Sequence, residues 1–294
     1  MLKPSIELIL ASLLWGFAFV AIKWTMTSIS VAAMLFYRFA GAAVLCALIL
    51  SRKPPAWSEI KESLRISFWA GLLLAATIAV QAHGLQFTTV SKSSFITILY
   101  VIIVPFLEHH WLKQKISPRV WLIIPMALVG VALMVDLRLD NWNKGDSFTL
   151  VNSFTSAIHI TYLAVIARKA NNLLLLAFGQ SLWTAVFCLV YFPFDSGSWN
   201  LMSLTPQGWI GITELTIGAS FLAFFFQIRA QKVLPPTIAS ILFLLESPVS
   251  SFFGVLLLGE VIGLNQILGA GMIIAACAAL QFFPREKVSP LHGT

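Results

Sequence analysis

Midway through the apolar run 236–258 stands the triplet Glu246-Ser247-Pro248. A carboxyl group surrounded by hydrocarbon is costly unless it is protonated, hydrogen-bonded or paired, so Glu246 calls for a reason. Two chemistries fit: holding a cationic amine of a small solute, or taking up and releasing a proton. The alternative is a neutral carboxyl bonded across helices for structural reasons. Pro248 lacks a backbone donor, so its helix is expected to bend and expose a carbonyl at the same depth. Trp15, Phe19, Tyr100, His159 and Tyr162 can share a solute-sized space with Glu246. His159 and Tyr162 are one helical turn apart and lie on one face. Trp15 sits near the centre of its run, away from the interfacial positions where tryptophan anchors a helix. For His159 and Tyr100 a buried structural hydrogen bond or aromatic packing is the competing reading.

Arg38, Gln81, Glu214 and Gln227 lie nearer the ends of their runs and are candidate gate or coupling positions. Long side chains at that depth also reach the interface without further function. Glu108-His109-His110 has no second cluster to complete a metal site and is expected at the interface; neither metal nor cofactor is expected. Cys46, Cys188 and Cys277 fall inside apolar runs without paired spacing, which suits core filling rather than disulfides or metal ligation.

The elements that must position these residues follow from composition. The chain has 294 residues, 59% hydrophobic and 11% charged, with a mean hydropathy of +0.88. Globular domains carry about 25% charged residues, so a soluble fold is excluded and an all-α integral membrane protein is implied. A bilayer-spanning helix needs about 20 apolar residues, and about ten such spans can be drawn: 5–24, 31–50, 66–86, 91–111, 118–136, 148–167, 173–192, 207–228, 236–258 and 265–283. The first follows Lys3 like a signal peptide, but no small-residue cleavage site precedes a polar domain, so it is expected to be retained. The net charge of +7 is spread between the spans, which favours a membrane surface over nucleic acid. With the first residue inside, 14 basic residues fall in inside segments and four outside. The positive-inside rule then places both termini in the cytoplasm.

The chain also repeats. A shift of 146 positions lays Gln81 on Gln227, Ser94 on Ser240, Leu99 on Leu245, Phe106 on Phe252, Ile116 on Ile262 and Met126 on Met272. Each half then holds five spans. An odd number inverts the second half relative to the first, the arrangement that supports alternating access around a midplane site. The halves are drawn as 1–140 and 146–284, with a short tail 285–294. Gly271, Ala275 and Ala279 recur every four residues, a small-residue pattern for close helix packing within the chain or between two copies. Gly71, Pro105 and Pro248 are expected to serve packing and bending.

Several stretches resemble the drug/metabolite transporter superfamily of EamA type. They are Leu14-Trp15-Gly16-Phe17-Ala18-Phe19, Tyr37-Arg38-Phe39, the turn Gly84–Ser93, Arg229-Ala230-Gln231-Lys232, Leu245-Glu246-Ser247-Pro248-Val249, Gly259-Glu260 and Gly269-Ala270-Gly271. The first repeat departs from the pattern where Lys113-Gln114 replaces the terminal Gly-Glu of the second. The resemblance covers essentially the whole chain. It implies a secondary transporter, an exporter of small organic solutes such as amino acids or related metabolites, in a bacterial inner membrane. Protons are a candidate coupling ion, and the state is monomer or homodimer. Drugs, amines or nucleosides on the same fold are the alternative cargo. A membrane-embedded enzyme would need convergent acid–base groups that five scattered histidines do not supply. A non-transporting membrane protein has little use for inverted repeats with polar residues at mid-depth. The absence of a Gly-rich phosphate loop argues against an ATP-driven pump.

Overall fold

The computed structural model describes residues 2–84, 87–88, 93, 96–134, 142–190 and 197–282. Within them the chain forms ten helices: α1 Leu2–Met26, α2 Val31–Leu50, α3 Trp57–Gly84, α4 Tyr100–Leu112, α5 Val120–Met134, α6 Lys144–Lys169, α7 Leu173–Val190, α8 Pro206–Gln231, α9 Pro236–Leu258 and α10 Leu264–Phe282. Seven are long and apolar enough to cross a bilayer, and α4, α5 and α10 are shorter apolar helices. The tail 285–294 and the turn residues 89–92 lie outside the described residues.

Three spans depart most from the sequence reading. Helix α3 begins at Trp57, well before the apolar run, because the Glu59 carboxylate accepts the Ala56 backbone N–H (3.1 Å) and Lys61 sits over the Trp57 ring (5.5 Å). A capped, solvated first turn therefore extends the membrane helix. Helix α9 is interrupted at Leu244–Leu245, where Leu244 and Leu245 donate to carbonyls three residues back. Pro248 has no N–H to bond Leu244, which accounts for the loosened turn. The break in α4 is different. It falls at Leu99, whereas Pro105 sits inside an unbroken Tyr100–Leu112 helix.

The two halves match in detail. Tyr100–Leu112 and Glu246–Leu258 correspond residue for residue under the 146 shift, each preceded by a break, at Leu99 and Leu245. Each ends on a left-handed residue: Lys113 at φ 53° and Gly259 at φ 66°, the two such residues among those described. Packing obeys the same exchange. The α1–α8 and α3–α6 contacts are counterparts, as are α1–α9 and α4–α6, while α2–α7, α4–α9 and α5–α10 map onto themselves. Ten helices in two inverted five-helix repeats are the architecture.

Apolar burial gives little drive between helices in lipid, so close approach and interhelical hydrogen bonds take its place. A Cβ on Gly71 would overlap Trp183 Cβ, and one on Gly269 would overlap the Gly130 carbonyl. These glycines seat α3 on α7 and α5 on α10. Thr184 Oγ1 donates to the Gly71 carbonyl (3.3 Å) and Trp183 Nε1 to that of Leu64 (2.9 Å). Gly271 and Ala275, by contrast, are exposed, with nothing within 4 Å of a Cβ added at Gly271. The helix contact inside the chain thus belongs to Gly130 and Gly269, on nearly the opposite face of α10 from Gly271 and Ala275.

Candidate functional site

The break in α9 puts polar backbone at mid-helix, and neighbouring helices answer it. Ser12 Oγ of α1 donates to the Leu242 carbonyl (3.1 Å) and Cys277 Sγ of α10 to that of Ile241 (3.3 Å). Non-helical backbone at membrane depth is tolerated when protein groups satisfy it in this way. Glu246 begins the helix beyond the break. It is half-buried, and its carboxyl has no hydrogen-bond partner among the described residues. Tyr100 begins the equivalent segment of α4, is buried, and lies close enough to Glu246 to interact electrostatically. Gly16 lets α1 approach: a Cβ there would stand 3.1 Å from the Glu246 carbonyl oxygen.

Trp15 borders the same region. Its indole N–H donates to the Ala219 carbonyl of α8 (3.0 Å), and its ring meets Phe224 and Phe243 edge-on at 5.2 and 5.1 Å. Phe19 is half-buried one turn further on the same face of α1. His159 is buried against Phe224 (6.4 Å) and Gln180, and its Nε2 has no partner among the described residues. Gln180 Oε1 and Gln227 Oε1 are also buried without partners among the described residues. An unsatisfied buried polar atom costs about 1–3 kcal/mol, so three around one aromatic patch mark a place where water or a ligand would be welcome. Tyr162 is placed elsewhere. Its hydroxyl donates to the Ile66 carbonyl of α3 (3.0 Å), and the ring packs with a separate cluster around Cys46, Ala70 and Leu176.

Helix α6 carries a file of buried polar groups leading to His159. Thr88 donates to Asp146, Ser93 meets Thr149 at 3.1 Å, Asn152 Nδ2 donates to Thr97 (3.0 Å), and Ser153 Oγ is unpartnered among the described residues. Asp146 also closes a capping box with Asn143, which fixes the start of the helix. These residues were not singled out from sequence, although their three- and four-residue spacing on an otherwise apolar helix is the signal that would have found them.

Of the four candidate gate or coupling positions, two meet. Arg38 is buried, and its Nε donates to Ser220 Oγ of α8 at 2.7 Å. Glu214 is near enough to interact electrostatically with Arg38, yet no ion pair joins them, and both its carboxyl oxygens are buried without a partner among the described residues. From Glu214 to Leu222 helix α8 is π-helical. Gln81 is half-buried on α3, and Gln227 faces the Phe224 side of α8.

Polar ties close each end of the bundle. At the end where α1 finishes, Lys23 Nζ meets Glu260 Oε1 at 2.7 Å. At the opposite end Glu7 pairs with Arg229 at 2.8 Å. There Glu108, read from sequence as an interfacial residue, is turned inward and only 2% exposed. It accepts the Thr237 N–H at the start of α9 (2.9 Å) and the Gln114 amide (2.9 Å), while the Gln114 carbonyl accepts from Arg168 Nη1 (3.1 Å). An α-helix N-terminus without intrahelical partners explains why the carboxylate turns in. His109 and His110 stay exposed.

Ten membrane helices in inverted repeats, with broken helices meeting between the halves, define a membrane transporter architecture of the two-repeat type. The model of the EamA-like transporter family matches residues 3–136 and again 143–281. The chain belongs to that family. It is 25% identical to the uncharacterized transporter YoaV of Bacillus subtilis, over 98% of this chain and 100% of that protein. An uncharacterized transporter of Archaeoglobus fulgidus is also 25% identical, over 94% of this chain and 84% of its own length. A solved structure described only as the crystal structure of a protein shares the fold, with a TM-score of 0.81 at 13% identity over 94% of this chain and 96% of its own.

Proposed function

We propose that the chain exports small organic solutes, amino acids or related metabolites, by alternating access around a site between the two halves. One observation carries this reading. Symmetry-related helix breaks set Tyr100 and Glu246 at equivalent positions, and Glu246 has no protein partner among the described residues there. A carboxylate left open beside Trp15 and Tyr100 suits an ammonium group flanked by an apolar side chain. The orphaned His159 and Gln227 add polar contacts on the second-repeat side, and Phe19 extends the apolar wall. The 14-to-four charge bias supports cytoplasmic termini, hence a cytoplasmic end carrying Glu7, Glu108 and Arg168. A bacterial inner membrane suits that polarity.

Counterflow in proteoliposomes tests the proposal, using labelled L-amino acids, primary amines and nucleosides in parallel. Accelerated exchange of an amino acid, lost in Glu246→Gln, is expected. Exchange of nucleosides alone would overturn the cargo assignment, and no exchange of any solute by folded protein would overturn transport of these classes.

A further inference from the structure

We propose that Glu214 is a proton-binding site with Arg38 as its internal counter-charge. The guanidinium is held by Ser220 when Glu214 is protonated and moves to the carboxylate when it is not. Both oxygens of Glu214 are buried and unpartnered among the described residues, an arrangement an ionised carboxylate tolerates poorly and a neutral one tolerates better. Arg38 stands nearby without forming the ion pair, because its Nε is engaged by Ser220 at 2.7 Å. The structure therefore shows the protonated arrangement, with the partner for the deprotonated one already within electrostatic range.

The inverted repeat shows that the fold does not require this group. Under the 146 shift Arg38, Glu214 and Ser220 correspond to Thr184, Phe68 and Leu74, none of them charged. The π-helix has no counterpart either, since α3 is regular over the equivalent stretch. A nine-residue π segment opening on a buried acid and present in one repeat only is a feature of the kind found at functional sites. Gly218 makes room for the acid: a Cβ there would lie 2.6 Å from Glu214 Oε1. Arg38 of α2 is the charged group facing Glu214; Cys188 of α7 lies beside Arg38, and α1 presents Leu14 at this level.

The π segment is also tied to both first-repeat helices it touches. Ala219 accepts the Trp15 indole of α1, and the adjacent Ser220 accepts Arg38 of α2. Moving Arg38 from Ser220 to Glu214 relocates one of these ties by six residues along the same segment. On the transport reading above, deprotonation of Glu214 thus shifts the α2–α8 contact along α8 beside the solute site.

Infrared titration of the full chain in lipid nanodiscs reads the site without any solute. A protonated-carboxyl band that disappears with rising pH is expected in the wild type and in Glu246→Gln, and absent in Glu214→Gln. In Arg38→Met the band should survive to a pH roughly 1 unit or more higher, the size of a lost neighbouring cation. In Ser220→Ala, Arg38 has no alternative acceptor, and the band should vanish at lower pH. Should Glu214→Gln fail to give a monodisperse, cooperatively melting protein, isotope-edited glutamate spectra of Glu214→Asp against wild type serve the same end. An unchanged carboxyl band in Glu214→Gln overturns the proton site; wild-type titration in Arg38→Met overturns the counter-charge. Counterflow of labelled L-amino acids at several pH values completes the test. An unaltered pH profile in Glu214→Gln overturns the coupling, whereas absence of transport in the wild type with the expected infrared behaviour overturns the transport reading and leaves the proton site standing.

Discussion

Glu246 and Glu214 are both acids within apolar helices, and their surroundings separate their roles. Glu246 follows a helix break, is half-buried and stands near a tyrosine hydroxyl. Glu214 is sealed, with an arginine in reach. Glu246→Gln keeps the side chain's shape and size while removing the charge that would meet an ammonium. The variant is expected to fold, with its melting temperature close to wild type, and to lose amino-acid counterflow by about tenfold or more, the factor set by ~1.4 kcal/mol of binding. Wild-type exchange in folded Glu246→Gln protein would make the carboxyl structural. His159 tests the same wall from the other repeat. His159→Leu removes the orphaned nitrogen but also takes the ring away from the buried Gln180 amide, so stability in thermal melts should change by no more than about 1 kcal/mol while exchange weakens. Wild-type exchange in folded His159→Leu protein would remove the ring from the solute wall.

Helix ends carry the repeat as clearly as helix interiors do. Gly259 has φ 66° and open space around an added Cβ, so Gly259→Ala changes only backbone strain. It should lower stability by about 1 kcal/mol. Lys113 occupies the equivalent left-handed position with a side chain that disfavours it, so Lys113→Gly should be neutral to stabilising, by up to about 1 kcal/mol. Equal effects of the same sign in the two melts would contradict the shared cap geometry. This pair also shows where sequence reading reached and where it stopped. The spans α2 and α9 and the Lys113/Gly259 correspondence follow from apolar run length and the 146 shift. The break at Leu99 has no proline or glycine to announce it, and the π segment of α8 has no local mark beyond Glu214 itself. Both depend on packing between distant helices. Interior polar contacts were equally out of reach: Ser220 and Gln180 are ordinary residues on apolar helices until Arg38 and His159 are placed beside them.

Pseudo-symmetry relates the two ends of the molecule, and with them the ties that close it. Lys23 corresponds to Lys169 and Glu260 to Gln114 under the 146 shift. The α1–α9 tie between Lys23 and Glu260 thus has as its counterpart the α6–α4 tie in which Arg168, next to Lys169, holds Gln114. The two differ in strength by environment. Lys23 and Glu260 are 55% and 48% exposed, and such surface pairs contribute about 0–1 kcal/mol. Glu108, beneath the other tie, is buried and bonded to backbone and amide. The proposed alternating access needs each tie to open in turn, and an exposed pair opens more readily than a buried network. A disulfide between Lys23→Cys and Glu260→Cys should therefore stop amino-acid exchange, with reduction restoring it; Gln114→Cys with Arg168→Cys should do the same from the opposite end. The native Cys46, Cys188 and Cys277 are free and buried, so they should not compete for the oxidant. Surface labelling then assigns the ends. A membrane-impermeant thiol reagent added outside intact cells should reach the thiol introduced by Glu260→Cys in the reduced first pair, and not the one introduced by Gln114→Cys in the second. Exchange that continues undiminished with either disulfide fully formed would show that the tied ends do not move apart during transport.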